Sequence, residues 1–408
     1  MDVNPAAAGF SLERLERITA HLQDRYISPG KIPGAQVMVS RGGELAYFRS
    51  FGYMDAERGK ALEDDTIFRI YSMTKPITSV ALMMLFEEGH FQLSDPVSRF
   101  IPAWVNHEVW VEGSGGDMVT RPTKNRMTVK DVLCHTAGLT YGGLLWSENL
   151  HPVDKVYAEL NINRGPGETP QSFVEKLAQV PLRYEPGTRW MYSLATDVCG
   201  CLVEIISGQT FPQFLQERLF DRLGMVDTGF SVPVEKVERF AANYERKRDK
   251  SLRLIDDPLN SHYLKKPSFP SGGGGLVSTS ADYARFCEML RCGGQFDGER
   301  ILGDRTLKLM HMNHLPGGAE LASVAMEGFT ETAYEGVGFG LGFASTIDQI
   351  AASNISGGDY YWGGAASTIF WVDPIEDLYV IFMTQLMPSA TFNFRGQLKN
   401  IIYAAIED

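Results

Sequence analysis

The segment that most restricts this chain is Ser72-Met73-Thr74-Lys75, set at the head of an apolar helical run. Ile77, Val80, Ala81, Met84 and Leu85 recur at helical spacing, and Gly89 ends the run. Pro76 fits a first helical turn, where its missing N–H has no intrahelical partner to lose. A serine and a lysine three residues apart share one helix face, so one can be a nucleophile and the other the base that activates it. Free N–H groups and the dipole at a helix N-terminus favour negative charge, which suits a serine that becomes part of a tetrahedral oxyanion.

Ser-x-x-Lys alone is a weak signal. The chain has a second copy, Ser28-Pro29-Gly30-Lys31, but Pro29-Gly30 reads as a turn that need not bring Ser28 and Lys31 together. Ser72 gains meaning only from partners elsewhere.

A chain of 408 residues is too long for one ordinary core and suggests two lobes. A net charge of −12, with no basic stripe, argues against a nucleic-acid footprint. No run of 18 apolar residues exists, so no membrane span is expected, and the 79–86 stretch reads as a buried helix. The first residues lack a basic segment followed by an apolar one, which makes a cytoplasmic location the expectation. Cys134, Cys199, Cys201, Cys287 and Cys292 form an odd set without metal spacing and read as buried free thiols.

Along the chain, Leu12, Leu15, Ile18 and Leu22 mark an opening helix with Ser11 as N-cap. A hairpin follows over 35–40 and 45–51, turning at Gly42-Gly43, and 66–70 reads as a strand leading to Ser72. Helices are expected near 128–134, 170–179, 195–206, 211–222 and 233–240, with irregular loops at 103–127 and 140–170. After Gly272–Gly275 come a helix at 281–291 capped by Ser280 and strands near 336–345, 359–362, 366–373 and 377–384. A last amphipathic helix covers about 391–406. The expected architecture is α+β. One α/β lobe (1–74 and 271–408) holds an antiparallel sheet flanked by helices, with a mostly helical lobe (75–270) inserted. The site is expected in the cleft between them.

Further motifs stand beside Ser72: Leu133-Cys134-His135-Thr136-Ala137-Gly138-Leu139, Pro186-Gly187-Thr188-Arg189-Trp190-Met191-Tyr192-Ser193, Leu223-Gly224-Met225 with Asp227-Thr228, and Trp362-Gly363-Gly364-Ala365. Over roughly residues 10–400 this ordered set resembles the serine β-lactamase/penicillin-binding-protein superfamily, most of all the class C β-lactamase-like family VIII carboxylesterases. The resemblance implies a serine β-lactamase/transpeptidase-like fold. It also implies Ser72 as acyl-accepting nucleophile, Lys75 as holder or receiver of its proton, and Tyr192 as general base and then acid. The N–H of Ala365 would join that of Ser72 in an oxyanion hole, where a donor is worth about 3–4 kcal/mol. A phenol is a poor base at its usual pKa of about 10, and a neighbouring Lys75 ammonium is expected to lower it.

Two departures point from amides toward esters. The third motif of the lactam-binding relatives carries a lysine for the substrate carboxylate, whereas this chain has Trp362-Gly363-Gly364. The second motif usually ends in Asn, and here it ends in Leu194, which removes one partner for a substrate amide. Trp362, Gly363, Gly364, Tyr141 and Phe343 are candidate substrate-binding residues, with Leu145 and Trp146 also placed at a bulky mouth that suits a short acyl group.

Other groups read as structural. His135 is expected to support its loop rather than form a Ser–His–Asp triad, and no Gly-x-Ser-x-Gly elbow is present. Gly272–Gly275 and Gly336–Gly342 lack the context of a phosphate loop and read as close backbone packing near the cleft. His311 and His314 have no third ligand at metal spacing, so no metal or cofactor is expected. The reading is a serine hydrolase acting on a small-molecule ester. The alternatives are a β-lactamase or D-amino-acid peptidase, an acyltransferase of the same superfamily, and a non-catalytic member used for binding or assembly.

Overall fold

The computed structural model describes residues 2–143, 150–162, 167–326 and 330–407. Leu145 and Trp146 lie outside them. Among the described residues, eight strands form one antiparallel sheet. They are β1 (Gly34–Arg41), β2 (Glu44–Asp55), β3 (Lys60–Ala61), β4 (Val337–Phe339), β5 (Ala344–Thr346), β6 (Tyr360–Gly363), β7 (Ile369–Asp373) and β8 (Leu378–Met383), in spatial order β4-β5-β6-β7-β8-β1-β2-β3. The N-terminal hairpin thus pairs with the C-terminal meander through β1 and β8, with Val37 opposite Phe382 and Val39 opposite Val380.

The central strands are buried on both faces and read as nearly continuous apolar runs. Side chains alternate across a strand, so Phe370 and its partners Trp362 and Ile381 point to one face, while Phe382 and Ile369 point to the other. Helices α1 (Leu12–Leu22) and α5 (Phe394–Tyr403) cover the second face, where Phe382 meets Phe394 at a ring distance of 4.7 Å. On the first face lies α4 (Ser280–Arg291), whose Tyr283 meets Phe370 at 5.1 Å. That face also meets the helix that matters most, α2 (Thr74–Glu87), buried over Thr74–Leu85 and packed against α3 (Ala195–Ser207).

Several expectations shift. Residue 103–127 is not irregular throughout: Glu108–Glu112 and Val119–Pro122 pair as a hairpin, turned through Gly113 and Gly115 at positive φ. The 140–170 loop contains a helix, Pro152–Glu159, capped by the His151 ring, whose Nδ1 accepts from Val153 N. The 233–240 segment is a 3₁₀ helix, Val234–Arg239. The 75–270 stretch also carries a second hairpin, Asn243–Arg246 with Leu252–Asp256, paired in parallel to Leu386–Met387. Its mixed charge alternates with apolar residues too weakly to announce strands. The cap of α4 is Thr279, one residue before the expected Ser280, and its side chain accepts from Asp282 N. Ser11 precedes α1 without a side-chain cap bond. The expected 336–345 strand is two strands, because the chain reverses at Gly342 with φ +98°. Of the five thiols, Cys292 is exposed and the others are buried and free.

Candidate active site

Ser72 sits in a 3₁₀ turn, Tyr71–Met73, that feeds α2. Tyr71 is held at φ +41°, a costly conformation for a bulky residue, with its hydroxyl accepting from Asn243 Nδ2 at 3.0 Å. The turn and helix place Lys75 Nζ 3.2 Å from Ser72 Oγ and 2.6 Å from the carbonyl oxygen of Gly273. Lys75 is 1% exposed and Ser72 8%. Burial pushes the Lys75 ammonium down to about 8, opposed by the charges of Asp197 and Glu331.

Tyr192 follows the Pro186-Gly187 turn and precedes α3, and its ring lies 4.5 Å from Lys75 Nζ. Its oxygen is hydrogen-bonded to Ser72, Trp362 and Tyr141, and the Trp362 indole N–H donates to it at 3.1 Å. The expected lowering of this phenol by Lys75 does not occur. Burial dominates, with the Glu331 charge adding to it, and the Tyr192 pKa stands well above the usual tyrosine value despite its hydrogen bonds.

The third motif reaches Ser72 by close backbone approach. A Cβ on Gly364 would lie 2.4 Å from the carbonyl oxygen of Ile70, so only glycine lets the end of β6 rest against the turn holding Ser72. Ala365 then occupies the turn closed by the Ser367 N–H donating to Gly364 O. Gly363 packs beside Arg395, whose Nη2 donates to Trp362 O and Nη1 to Glu331 O. Tyr141 packs edge-on against Tyr192 at 5.2 Å and stands 5.6 Å from Lys75 Nζ. Ser72, Lys75, Tyr192, Trp362, Gly364 and Tyr141 are therefore gathered at one place.

Phe343 is a correction. It is fully buried against Tyr360 at 5.2 Å, so it is a core residue and not an open wall of the mouth. Trp362 is equally buried and meets the site through its indole N–H. Position in the motif order marked both residues, but burial is decided by the sheet face.

His135 is held in the left-handed region at φ +58°, its ring nitrogens spanning Ser193 Oγ at 3.2 Å and Thr196 Oγ1 at 3.3 Å. Its carbonyl accepts from Met191 N, and its ring packs edge-on against Tyr192 at 5.1 Å. It braces the Tyr192 loop. His311 stacks on Tyr360 and His314 bonds to Leu309 O; among the described residues no group of three His, Cys, Asp or Glu side chains is placed to hold a metal. No helix among them is long and apolar enough to cross a membrane. A cavity of about 760 Å³ lined by Phe220, Phe230, Val232, Pro212 and Lys266 contains none of the gathered residues.

Two carboxyls escaped the motif reading. Asp197 looks in sequence like an ordinary acid in the first turn of a helix, and Glu331 like one in a loop. Both are buried and both act on Lys75.

A family model described as Beta-lactamase matches residues 15–402. Protein Rv1367c of Mycobacterium tuberculosis is 34% identical over 363 residues, covering 88% of this chain and 87% of that protein. Esterase EstB of Burkholderia gladioli is 30% identical over 381 residues, 88% of each chain. The solved structure of EstCE1, described as a hydrolase with promiscuous acyltransferase activity, superposes with a TM-score of 0.78 at 27% identity, covering 96% of this chain and 98% of that one. With the match spanning nearly the whole chain, this protein belongs to the beta-lactamase family and is an enzyme of the serine β-lactamase superfamily.

Proposed function

We propose that this protein is a serine carboxylesterase that cleaves short-chain carboxylic esters through an acyl-enzyme on Ser72. The observation that carries the ester reading is Trp362, a buried indole that gives its N–H to Tyr192 where a lactam-binding site would present a cation. Arg395, beside the same motif, is spent on two backbone carbonyls. Leu194 is buried and offers a substrate amide no polar partner.

The reaction follows from the geometry. Lys75, with a pKa near 8, is neutral in a useful fraction of molecules at mild pH and within reach of the Ser72 proton. Ser72 Oγ attacks the ester carbonyl, and the oxyanion is received by the N–H groups of Ser72 and Ala365. Tyr192, kept protonated by burial, relays a proton to the departing alkoxide. Lys75 returns the Ser72 proton to Tyr192; water then adds to the acyl carbon, its proton passes through Tyr192 and Lys75 to Ser72 Oγ as the Oγ–acyl bond breaks, and the acid leaves. The site lies where residues 1–74 and 271–408 face 75–270.

EstCE1 supports a second acceptor, because an alcohol that replaces water takes the acyl group by the same chemistry. Hydrolysis of a short p-nitrophenyl ester by wild type and Ser72→Ala tests the reading. Turnover that falls by about 10³-fold or more in the variant supports it, and retained turnover refutes it. A chromogenic cephalosporin cleaved faster than the ester would favour the lactamase alternative.

A further inference from the structure

Asp197 has no part in the scheme above, yet it is a buried carboxyl, 2% exposed, next to the active-site lysine. It comes from the first turn of α3, so the same local segment supplies it and Tyr192. Its Oδ1 accepts from Gly273 N at 3.1 Å and from Ser271 Oγ at 2.5 Å. Gly273 in turn offers its carbonyl to Lys75 Nζ at 2.6 Å. The neighbouring residues repeat the pattern: Gly272 O accepts from Thr78 Oγ1 at 2.8 Å, and Leu276 N donates to Thr74 Oγ1 at 3.1 Å. The segment 271–276 is thus strung between α2 and α3.

The glycines make this approach possible. A Cβ on Gly273 would lie 2.5 Å from Asp197 Oδ2, and one on Gly272 2.7 Å from Thr196 O. A side chain at Gly273 would displace the Asp197 carboxyl, and one at Gly272 would press on the backbone of α3.

We propose that Asp197 is a positioning residue for acylation: by holding Gly273 it fixes the acceptor that, together with Ser72 Oγ, aims the Lys75 amine. The inference rests on the reading of Ser72 as nucleophile. It has an electrostatic consequence, because the Asp197 charge supports the ammonium against burial. The other titratable groups facing Lys75 are Glu331, which acts in the same direction, the Tyr192 and Tyr141 rings, and His135, which burial keeps neutral. Loss of the Asp197 charge therefore lowers the Lys75 pKa and moves the alkaline rise of Ser72 reactivity to lower pH.

The experiment follows phosphonylation of Ser72 in the full-length chain by a fluorophosphonate, read by intact mass across pH. Asp197→Asn keeps a carbonyl acceptor for Gly273 N and loses the charge. The rise in its rate is expected about half a unit or more lower in pH, with a plateau within about threefold of wild type. Asp197→Ala loses the acceptor as well, and its plateau is expected to fall about tenfold or more. Ser271→Ala, a milder change that removes one donor to Asp197, is expected to move the rise in the same direction by less. A purely structural role would lower Tm without moving the rise. A labelled wild type whose rise stays in place in both Asp197→Asn and Ser271→Ala overturns this inference alone. A wild type that is not labelled overturns the Ser72 reading, and the inference with it.

Discussion

Trp362 Nε1 lies 3.1 Å from Tyr192 Oη, and an indole N–H can only donate. The Tyr192 oxygen therefore acts as an acceptor toward the third motif and keeps its own proton for Ser72 or Tyr141. This one bond ties the motif on β6 to the motif ahead of α3. It also explains how a large aromatic side chain can stand in that place without blocking the chemistry.

Trp362→Phe tests that bond while keeping most of the volume. Tyr192 loses a donor in a buried setting, where a hydrogen bond is worth about 1–3 kcal/mol. A fall of about 10- to 100-fold in kcat with KM little changed is the expected result, read by steady-state kinetics on a p-nitrophenyl ester.

Lys75→Arg separates charge from base. Arginine stays protonated at any working pH, so it can preserve a positive charge but cannot take the Ser72 proton. Turnover is expected to drop by about 10³-fold or more; near-normal turnover would show that Lys75 serves only as a charge.

The pH profile of wild-type kcat/KM carries the same information. Lys75 works as a base only when neutral, and burial has moved its pKa down to about 8. The rate should rise as pH increases through that value and not at the 10 to 11 of an ordinary lysine.

Glu331 makes a stability prediction. Burial raises its pKa from 4.5 to about 7, against a hydrogen bond from Ser389 and the charges of Lys75 and Arg395. Between those values the folded chain holds a proton that the unfolded chain has lost, so stability falls as pH rises from 4.5 through 7. Glu331→Gln removes the ionisation. Its unfolding free energy should exceed that of wild type at pH 8 by about 3 kcal/mol, seen as a higher Tm, and match it near pH 4.5.

Gly364→Ala would place a methyl 2.4 Å from Ile70 O and 2.3 Å from Thr368 Oγ1. The backbone must part there, which costs about 1–3 kcal/mol. Thermal unfolding should show the loss, and kcat should fall with it, because the movement separates Ala365 from Ser72.

The local chemistry of the site was legible in the order of residues. Ser72 and Lys75 come together through helical geometry alone, because three residues of a turn set their distance. The strands of the C-terminal meander and the β1–β2 hairpin were likewise readable, since they are short runs rich in apolar and β-branched residues bounded by turns. The Glu108–Glu112 hairpin was not readable, because its strands are short, charged and half exposed.

Tertiary structure decided what surrounds those residues. Phe343 and Trp362 are both aromatic and both buried, yet Trp362 bonds to Tyr192 while Phe343 packs on Tyr360, because the fold places them on different core neighbours. The same holds for charge. Burial pushes the Lys75 pKa down and the Tyr192 pKa up, each the reverse of what a simple ammonium–phenolate pair would give, because both groups are taken out of water. Asp197 and Glu331 reach Lys75 from parts of the chain far from it in sequence. Local spacing sets which groups can react; desolvation and long-range approach depend on the whole packed molecule, and they set the protonation states in which those groups meet.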